Sequence, residues 1–155
     1  TRKESSAASD VYKRQVLADD VDIVLSHDGA RPFVHVETID SAIEDMLDLR
    51  AVVVGVPVKD TIKNVFDDGS NKVYLTPKRA LLWAAQTPQI FYAEDLRRAY
   101  LYAERENIEG TDDSSLVEKF GLQVTMVMGS YDNIKITTPE DLVLAELFRK
   151  SLKEN

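Results

Sequence analysis

The chain has 155 residues, 44% of them hydrophobic and 30% charged, which suits one soluble globular domain with a single core. It has no cysteine, which excludes a disulfide framework, a thiolate metal site and a cysteine nucleophile. Its 27 acidic and 19 basic residues give a net charge of −8, the wrong sign for neutralising nucleic-acid phosphates, and no apolar run approaches the roughly 20 residues that span a bilayer.

No secretory signal is visible either, so a cytoplasmic location without nucleic-acid or membrane partners is expected. Residues 1–15 are polar and Ser/Ala-rich without helical or strand period, and are expected to be a non-native or disordered leader. Residues 16–155 are expected to form one domain. From Val21 the run Val21-Asp22-Ile23-Val24-Leu25 reads as a buried strand leading into the polar group His27-Asp28-Gly29. Val36, Ile39, Ile43, Met46 and Leu47 recur at helical spacing, which predicts an amphipathic helix of about 12 residues. Ala51-Val52-Val53-Val54-Gly55-Val56 is apolar without alternation, as in a strand buried on both faces. Strand, helix and strand together suggest a βαβ crossover.

Residues 59–78 have a different character. Two β-prone runs flank Asp67-Asp68-Gly69-Ser70, an acid-glycine turn, and predict a hairpin arm. Polar residues alternate along both runs, leaving little apolar surface for a parent sheet. The arm therefore projects into solvent or packs on a second subunit. Leu81, Leu82 and Trp83 are expected to pack. Leu96, Ala99, Tyr100 and Ala103 make a second amphipathic helix, and Leu116, Val117 and Phe120 a third, stopped by Gly121. A strand is expected over 123–128. Thr138-Pro139-Glu140-Asp141 combines an N-cap, a proline at the first helical position and first-turn acids, and starts a terminal helix carrying Leu142, Ala145 and Phe148.

The chain holds no G-x-S-x-G, G-x-G-x-x-G or G-x-x-x-x-G-K-[ST] pattern, so a hydrolase elbow, a dinucleotide fingerprint and a P-loop are all missing from it. In His27-Asp28-Gly29-Ala30-Arg31-Pro32, Asp28 offers a hard oxygen ligand for Mg²⁺, Arg31 a charge-assisted donor for phosphate, and Gly29 with Ala30 a close backbone approach. The plainer account is a polar exit from a strand. In the cluster Asp132-Asn133-Ile134-Lys135, Asp132 could share a metal with Asp28 and Lys135 could meet a phosphate; a solvated turn is the alternative. His27 and His35 have no metal-spaced partner and read as hydrogen-bonding or helix-start residues, while Asp112 and Asp113 could merely favour a helix N-terminus.

The 27–32 and 132–135 segments occur in order with Val56-Pro57-Val58-Lys59-Asp60-Thr61-Ile62-Lys63, Gln86-Thr87-Pro88-Gln89 and Thr111-Asp112-Asp113. Together they resemble the 2-C-methyl-D-erythritol 4-phosphate cytidylyltransferase family of the non-mevalonate isoprenoid pathway. The related ribitol-5-phosphate cytidylyltransferases are the nearest alternative. A non-catalytic dimerising fragment is the alternative from another class.

The resemblance implies a three-layer α/β fold of the nucleotide-diphospho-sugar transferase (Rossmann-like) type, with a mainly parallel sheet and a projecting β-arm. It also implies CTP and the methylerythritol phosphate as substrates, Mg²⁺ or another hard divalent cation, and a homodimer formed through the arm. By resemblance Asp28, Arg31 and Lys135 are catalytic, Asp28 and Asp132 hold the metal, and Thr61, Arg79, Thr87 and Asp132 bind substrate, Thr61 and Arg79 serving the neighbouring subunit's site. The family's glycine-rich CTP loop is not in this sequence. The chain is thus expected to be N-terminally truncated and inactive alone, since each positioned donor missing from such a site costs about 2.7 to 4 kcal/mol.

Overall fold

A long apolar strand without alternation must be covered on both faces, and the sheet is built around one. In a computed structural model of the chain, which describes residues 20–154, β2 (Ala51–Pro57) is buried along its first six residues. The expected leader, 1–15, lies outside the described residues.

Beside β2 run β6 (Thr125–Met128), parallel to it, and β5 (Trp83–Tyr92), antiparallel to it. β1 (Ile23–Ser26) pairs antiparallel with the far side of β5, giving the order β1-β5-β2-β6. Three of the four strands therefore point the same way, as a mainly parallel sheet requires, and β5 alone is reversed. Connectivity explains the reversal. The arm joins β2 to β5 as an extended hairpin, with the Val58 amide donating to the Leu82 carbonyl at 3.0 Å, and a hairpin returns the chain antiparallel. The crossover from β1 through α1 (Val36–Leu49) to β2 thus spans a strand that arrives later in the chain.

Successive residues of β2 face opposite ways, and each face has its own core. Val52 and Val54 pack with Ala42 and Met46 of α1, Ile90 and Val127; Ala51 packs with Phe91 and with Leu96, Ala99, Tyr100, Leu116 and Val117. The second group comes from α2 (Ala93–Glu106) and α3 (Asp113–Phe120), so helices cover both faces in three layers. Caps set the helix ends as the sequence suggests. The Asp112 carboxylate accepts from the Ser115 amide at 2.8 Å, and Gly121 closes α3 with φ of 100°, a left-handed conformation that glycine adopts without strain. At α4 (Pro139–Glu154), the Asp141 carboxylate accepts from the amides of Thr137 and Thr138 at 2.9 and 2.8 Å.

Several expected core positions lie outside it. Leu25, Val36, Leu47 and Leu142 are exposed, as are Leu81 and Trp83, which sit where the arm meets β5. Among the described residues β1 lies at the end of the strand order with a neighbour on one side, in keeping with its half-buried pattern.

The arm is a separate two-stranded sheet of β3 (Asn64–Val65) and β4 (Val73–Leu75). It carries more apolar surface than the alternation suggested. Ile62, Val65, Phe66, Val73, Tyr74 and Leu75 are all exposed, and the Phe66 and Tyr74 rings touch each other at 5.1 Å between centroids.

Candidate active site

Strand ends gather the polar residues. The chain leaves β1 at His27 and turns through Asp28 to Arg31, whose amide donates to the Asp28 carbonyl at 3.0 Å. A second loop follows β6 and Gly129, and the Ile136 amide donates to the Ala30 carbonyl at 2.8 Å, so the two loops lie side by side.

Across that contact the Asp28 carboxylate receives two cations, Lys135 Nζ at 3.0 Å and Arg31 Nε at 3.2 Å, both on Oδ2. Burial pushes the Asp28 carboxyl up, but hydrogen bonds and charge from Lys135 and then Arg31 outweigh it and hold it below the usual carboxylate value. Arg31 is nearly enclosed, with 12% of its side chain exposed, and its second anchor is the Asn133 carbonyl at 2.7 Å. Lys135 is 46% exposed, so its ammonium is open to solvent beside Asp28.

β5 supplies the floor. The Asp28 amide donates to Thr87 Oγ1 at 3.0 Å, and Asn133, buried to 1% exposure, donates Nδ2 to the Thr87 carbonyl at 2.9 Å. Gln86 reaches the same loop by donating to the Ser130 carbonyl at 2.9 Å. On the neighbouring flank His35, at the start of α1, meets Asp132 Oδ2 at 2.9 Å. Burial raises the Asp132 carboxyl, and hydrogen bonds from Ser130 and His35 more than offset this and lower it. Asn133, in a loop, and Gln86, within β5, were not singled out from sequence as site residues, because a lone amide side chain carries no spacing signal. Gly129 marks the crowding there: a Cβ on it would lie 2.6 Å from Gln86 Oε1 and 2.7 Å from Val54 Cγ1.

The structure thus brings together Asp28, Arg31, Lys135 and Thr87 through direct bonds, and places Asp132 next to Asn133 in the same loop. Thr61 and Arg79 stand apart at the base of the arm, both exposed, and Arg79 donates to the Lys59 carbonyl at 2.9 Å. The base of the arm still touches the site loop, since Lys59 Nζ lies 3.5 Å from the centre of the Tyr131 ring and the Tyr131 hydroxyl donates to the Pro57 carbonyl at 2.7 Å.

A resident cation would find few ligands in this chain. Among the described residues no cluster of three His, Asp or Glu side chains could hold a metal, and the Oδ2 atoms of Asp28 and Asp132 are already paired with protein cations or imidazole. Asp132 Oδ1 is buried with no hydrogen-bond partner. Such a donor set fits Mg²⁺ in its usual mode, with one or two carboxylates and the remaining positions filled by substrate phosphates and water.

What the arrangement can do is bind and neutralise anionic oxygen. Two cations and a half-buried, hydroxyl-bearing floor converge on one loop pair, with the His35–Asp132 pair on its flank.

Known proteins resemble this chain over most of its length. Residues 3–151 match the family model described as 2-C-methyl-D-erythritol 4-phosphate cytidylyltransferase. The enzyme of that name from Clostridioides difficile is 58% identical over 130 residues, covering 84% of this chain and 54% of the relative; the one from Bacillus velezensis is 48% identical over 146 residues, covering 94% and 62%. The chain therefore spans little more than half the length of these curated relatives. Among solved structures, the 2-C-methyl-D-erythritol 4-phosphate cytidylyltransferase of Thermus thermophilus superposes with a TM-score of 0.80 at 35% identity, covering 92% of this chain and 68% of that one. The 4-diphosphocytidyl-2C-methyl-D-erythritol synthase of Anaerococcus prevotii gives 0.81 at 35% identity over 90% and 61%. By sequence and by fold, the chain belongs to the 2-C-methyl-D-erythritol 4-phosphate cytidylyltransferase family.

Proposed function

We propose that the protein carrying this chain transfers CMP from CTP to 2-C-methyl-D-erythritol 4-phosphate. The products are 4-diphosphocytidyl-2-C-methyl-D-erythritol and pyrophosphate, in non-mevalonate isoprenoid biosynthesis in the cytoplasm. The observation that carries this reading is the Asp28 carboxylate clamped between Lys135 and Arg31, which joins the two loops into one cationic face.

In this reaction an oxygen of the acceptor phosphate bonds to the α-phosphorus of CTP while the bond from that phosphorus to the bridging oxygen breaks. A phosphate monoester is already ionised near neutral pH, so no general base is needed, and the site works by alignment and charge neutralisation. Lys135 and Arg31 supply positive charge, and Asp28 holds both in register. Asp28 and Asp132 are the residues that would hold Mg²⁺ together with nucleotide phosphates, and the metal would neutralise charge on them. Thr87 lies on the acceptor side. The arm is the proposed dimer contact, since its six exposed apolar residues lack cover among the described residues, and it would present Thr61 and Arg79 to the neighbouring site.

Pyrophosphate release from CTP by the whole gene product tests the reading. Turnover with 2-C-methyl-D-erythritol 4-phosphate and little with ribitol 5-phosphate is expected. Faster turnover with ribitol 5-phosphate, or none with either acceptor, overturns it.

A further inference from the structure

His27 was assigned no chemistry from sequence, yet it bridges two residues of the site. Its Nε2 lies 3.0 Å from the Arg31 carbonyl oxygen and its Nδ1 lies 2.9 Å from Thr87 Oγ1. We propose that His27 is a positioning residue that fixes the Thr87 hydroxyl as a hydrogen-bond acceptor toward the ligand, so that the ligand group docking there is a polyol hydroxyl and not a phosphate oxygen. The proposal rests on the reading of Thr87 as a residue on the acceptor-substrate side.

The argument is one of proton counting. A carbonyl oxygen can only accept, so the contact with Arg31 requires the proton on Nε2. A neutral imidazole has one N–H, which leaves Nδ1 as an acceptor. The contact between Nδ1 and Thr87 must then be filled by the threonine's own proton. A hydroxyl has one proton and two lone pairs, and the Asp28 amide already occupies one lone pair of Thr87 Oγ1 at 3.0 Å. One lone pair remains.

A phosphate oxygen without a proton would face that lone pair acceptor against acceptor, whereas a polyol hydroxyl would donate to it. The anionic end of the same ligand has its own partner in Lys135, half-exposed on the other side of Asp28. Asp28 therefore separates two recognition chemistries, with its carboxylate holding the cation for the phosphate and its amide holding the hydroxyl that reads the polyol.

The tautomer can be read directly, because the chain has two histidines. Long-range ¹H–¹⁵N correlation spectra of the labelled full chain at pH 8, assigned with a His35→Gln variant, should show His27 protonated on Nε2 and bare on Nδ1. Thr87→Ser should retain the Nδ1 shift, and Thr87→Val should move it toward that of an imidazole nitrogen without a donor. Added 2-C-methyl-D-erythritol 4-phosphate should leave the Thr87 to Nδ1 bond in place. Protonation on Nδ1 in the wild type, an Nδ1 shift indifferent to Thr87→Val, or loss of that bond on ligand addition would overturn the proposal. The wild-type spectrum decides the tautomer even if a variant fails to fold. Failure of the sugar phosphate to bind a chain with the expected tautomer counts against the proposed function and leaves the assignment of His27 intact.

Discussion

The paired loops of the site and the hairpin arm both leave the same sheet, but they are secured in different ways. Each polar side chain at the centre of the site has a partner from a distant part of the chain: Arg31 reaches the Asn133 carbonyl, Asn133 the Thr87 carbonyl, and Lys135 the Asp28 carboxylate. The arm is held by its own strand pairing and by contacts at its base, and its apolar side chains face outward. A geometry fixed by three chain segments is set before a ligand arrives. The exposed phenyl, phenol and branched alkyl groups of the arm have no such bracing among the described residues, and the proposed function assigns them to a dimer contact. The first region should fail by losing stability or turnover, and the second by losing association.

The largest effect is expected where the sheet supports the site. Phe91→Ala, at a fully buried ring on β5, should cost about 3–5 kcal/mol in chemical denaturation. A cost below about 1 kcal/mol would mean that β5 is not the rigid floor described. Asn133→Ala removes a buried donor to the Thr87 carbonyl and should cost about 1–3 kcal/mol, with the loss concentrated in the loops that hydrogen exchange reports as opening first.

Asp28→Asn and Lys135→Ala should each lower pyrophosphate release by the complete protein at least about tenfold, roughly 1.4 kcal/mol of barrier, while the circular dichroism spectrum stays native. Unchanged turnover in both would remove the cationic face from the mechanism.

Acid provides a graded test of the same region. Asp112, whose carboxyl burial raises but whose hydrogen bonds from Gln89, Ser115 and Ser114 lower further, titrates below its unfolded value, as do Asp28 and Asp132. The unfolded chain thus takes up protons first as pH falls. The stabilisation is complete above the ordinary carboxylate range near 4 and is lost as pH drops through the lower folded values. Asp112→Asn should flatten this acid limb in urea melts taken between about pH 5 and pH 2; an unchanged slope would assign the acid sensitivity to other carboxylates.

The smallest effect belongs to the arm. Phe66→Ala should change monomer stability by no more than about 0.5 kcal/mol while shifting sedimentation toward the smaller species. A large loss of monomer stability would show that the arm is part of the chain's own core.

How much of this was readable in the residues depends on how local each cause is. The unbroken apolar run of β2, the spacing of Leu96, Ala99, Tyr100 and Ala103, and the Asp112 and Gly121 caps act within a few residues, and all three elements stand where the pattern put them. β5 was not legible as a ten-residue strand because Gln86, Thr87, Pro88 and Gln89 interrupt its apolar character. Their polar groups are satisfied by loops that come from far along the chain. Leu81 and Trp83 were misplaced for the converse reason: apolar neighbours in sequence gave no sign that the chain there is only joining the sheet from the exposed arm. At the site, residue type pointed to Asp28 and Arg31, and the order of motifs shared with a family sharpened that choice. The braces His27, Gln86 and Asn133 act through partners dozens of positions away, which no local spacing encodes.

The reversed strand β5 has one further consequence, for the lengths of segments the chain can tolerate. Gln86 and Thr87 serve the loops after β6 and β1, and Gln89 serves Asp112 at the start of α3, all within four consecutive residues. A single residue inserted there would shift three attachments at once, and the alternation of faces would turn the buried Ile90 and Phe91 to the wrong layers. Insertions at the Asp67-Asp68-Gly69-Ser70 turn lengthen only a connection closed on itself, where each doubling of loop length costs about 0.6 kcal/mol. Large changes of length are therefore expected at the tip of the arm, and almost none between Gln86 and Phe91.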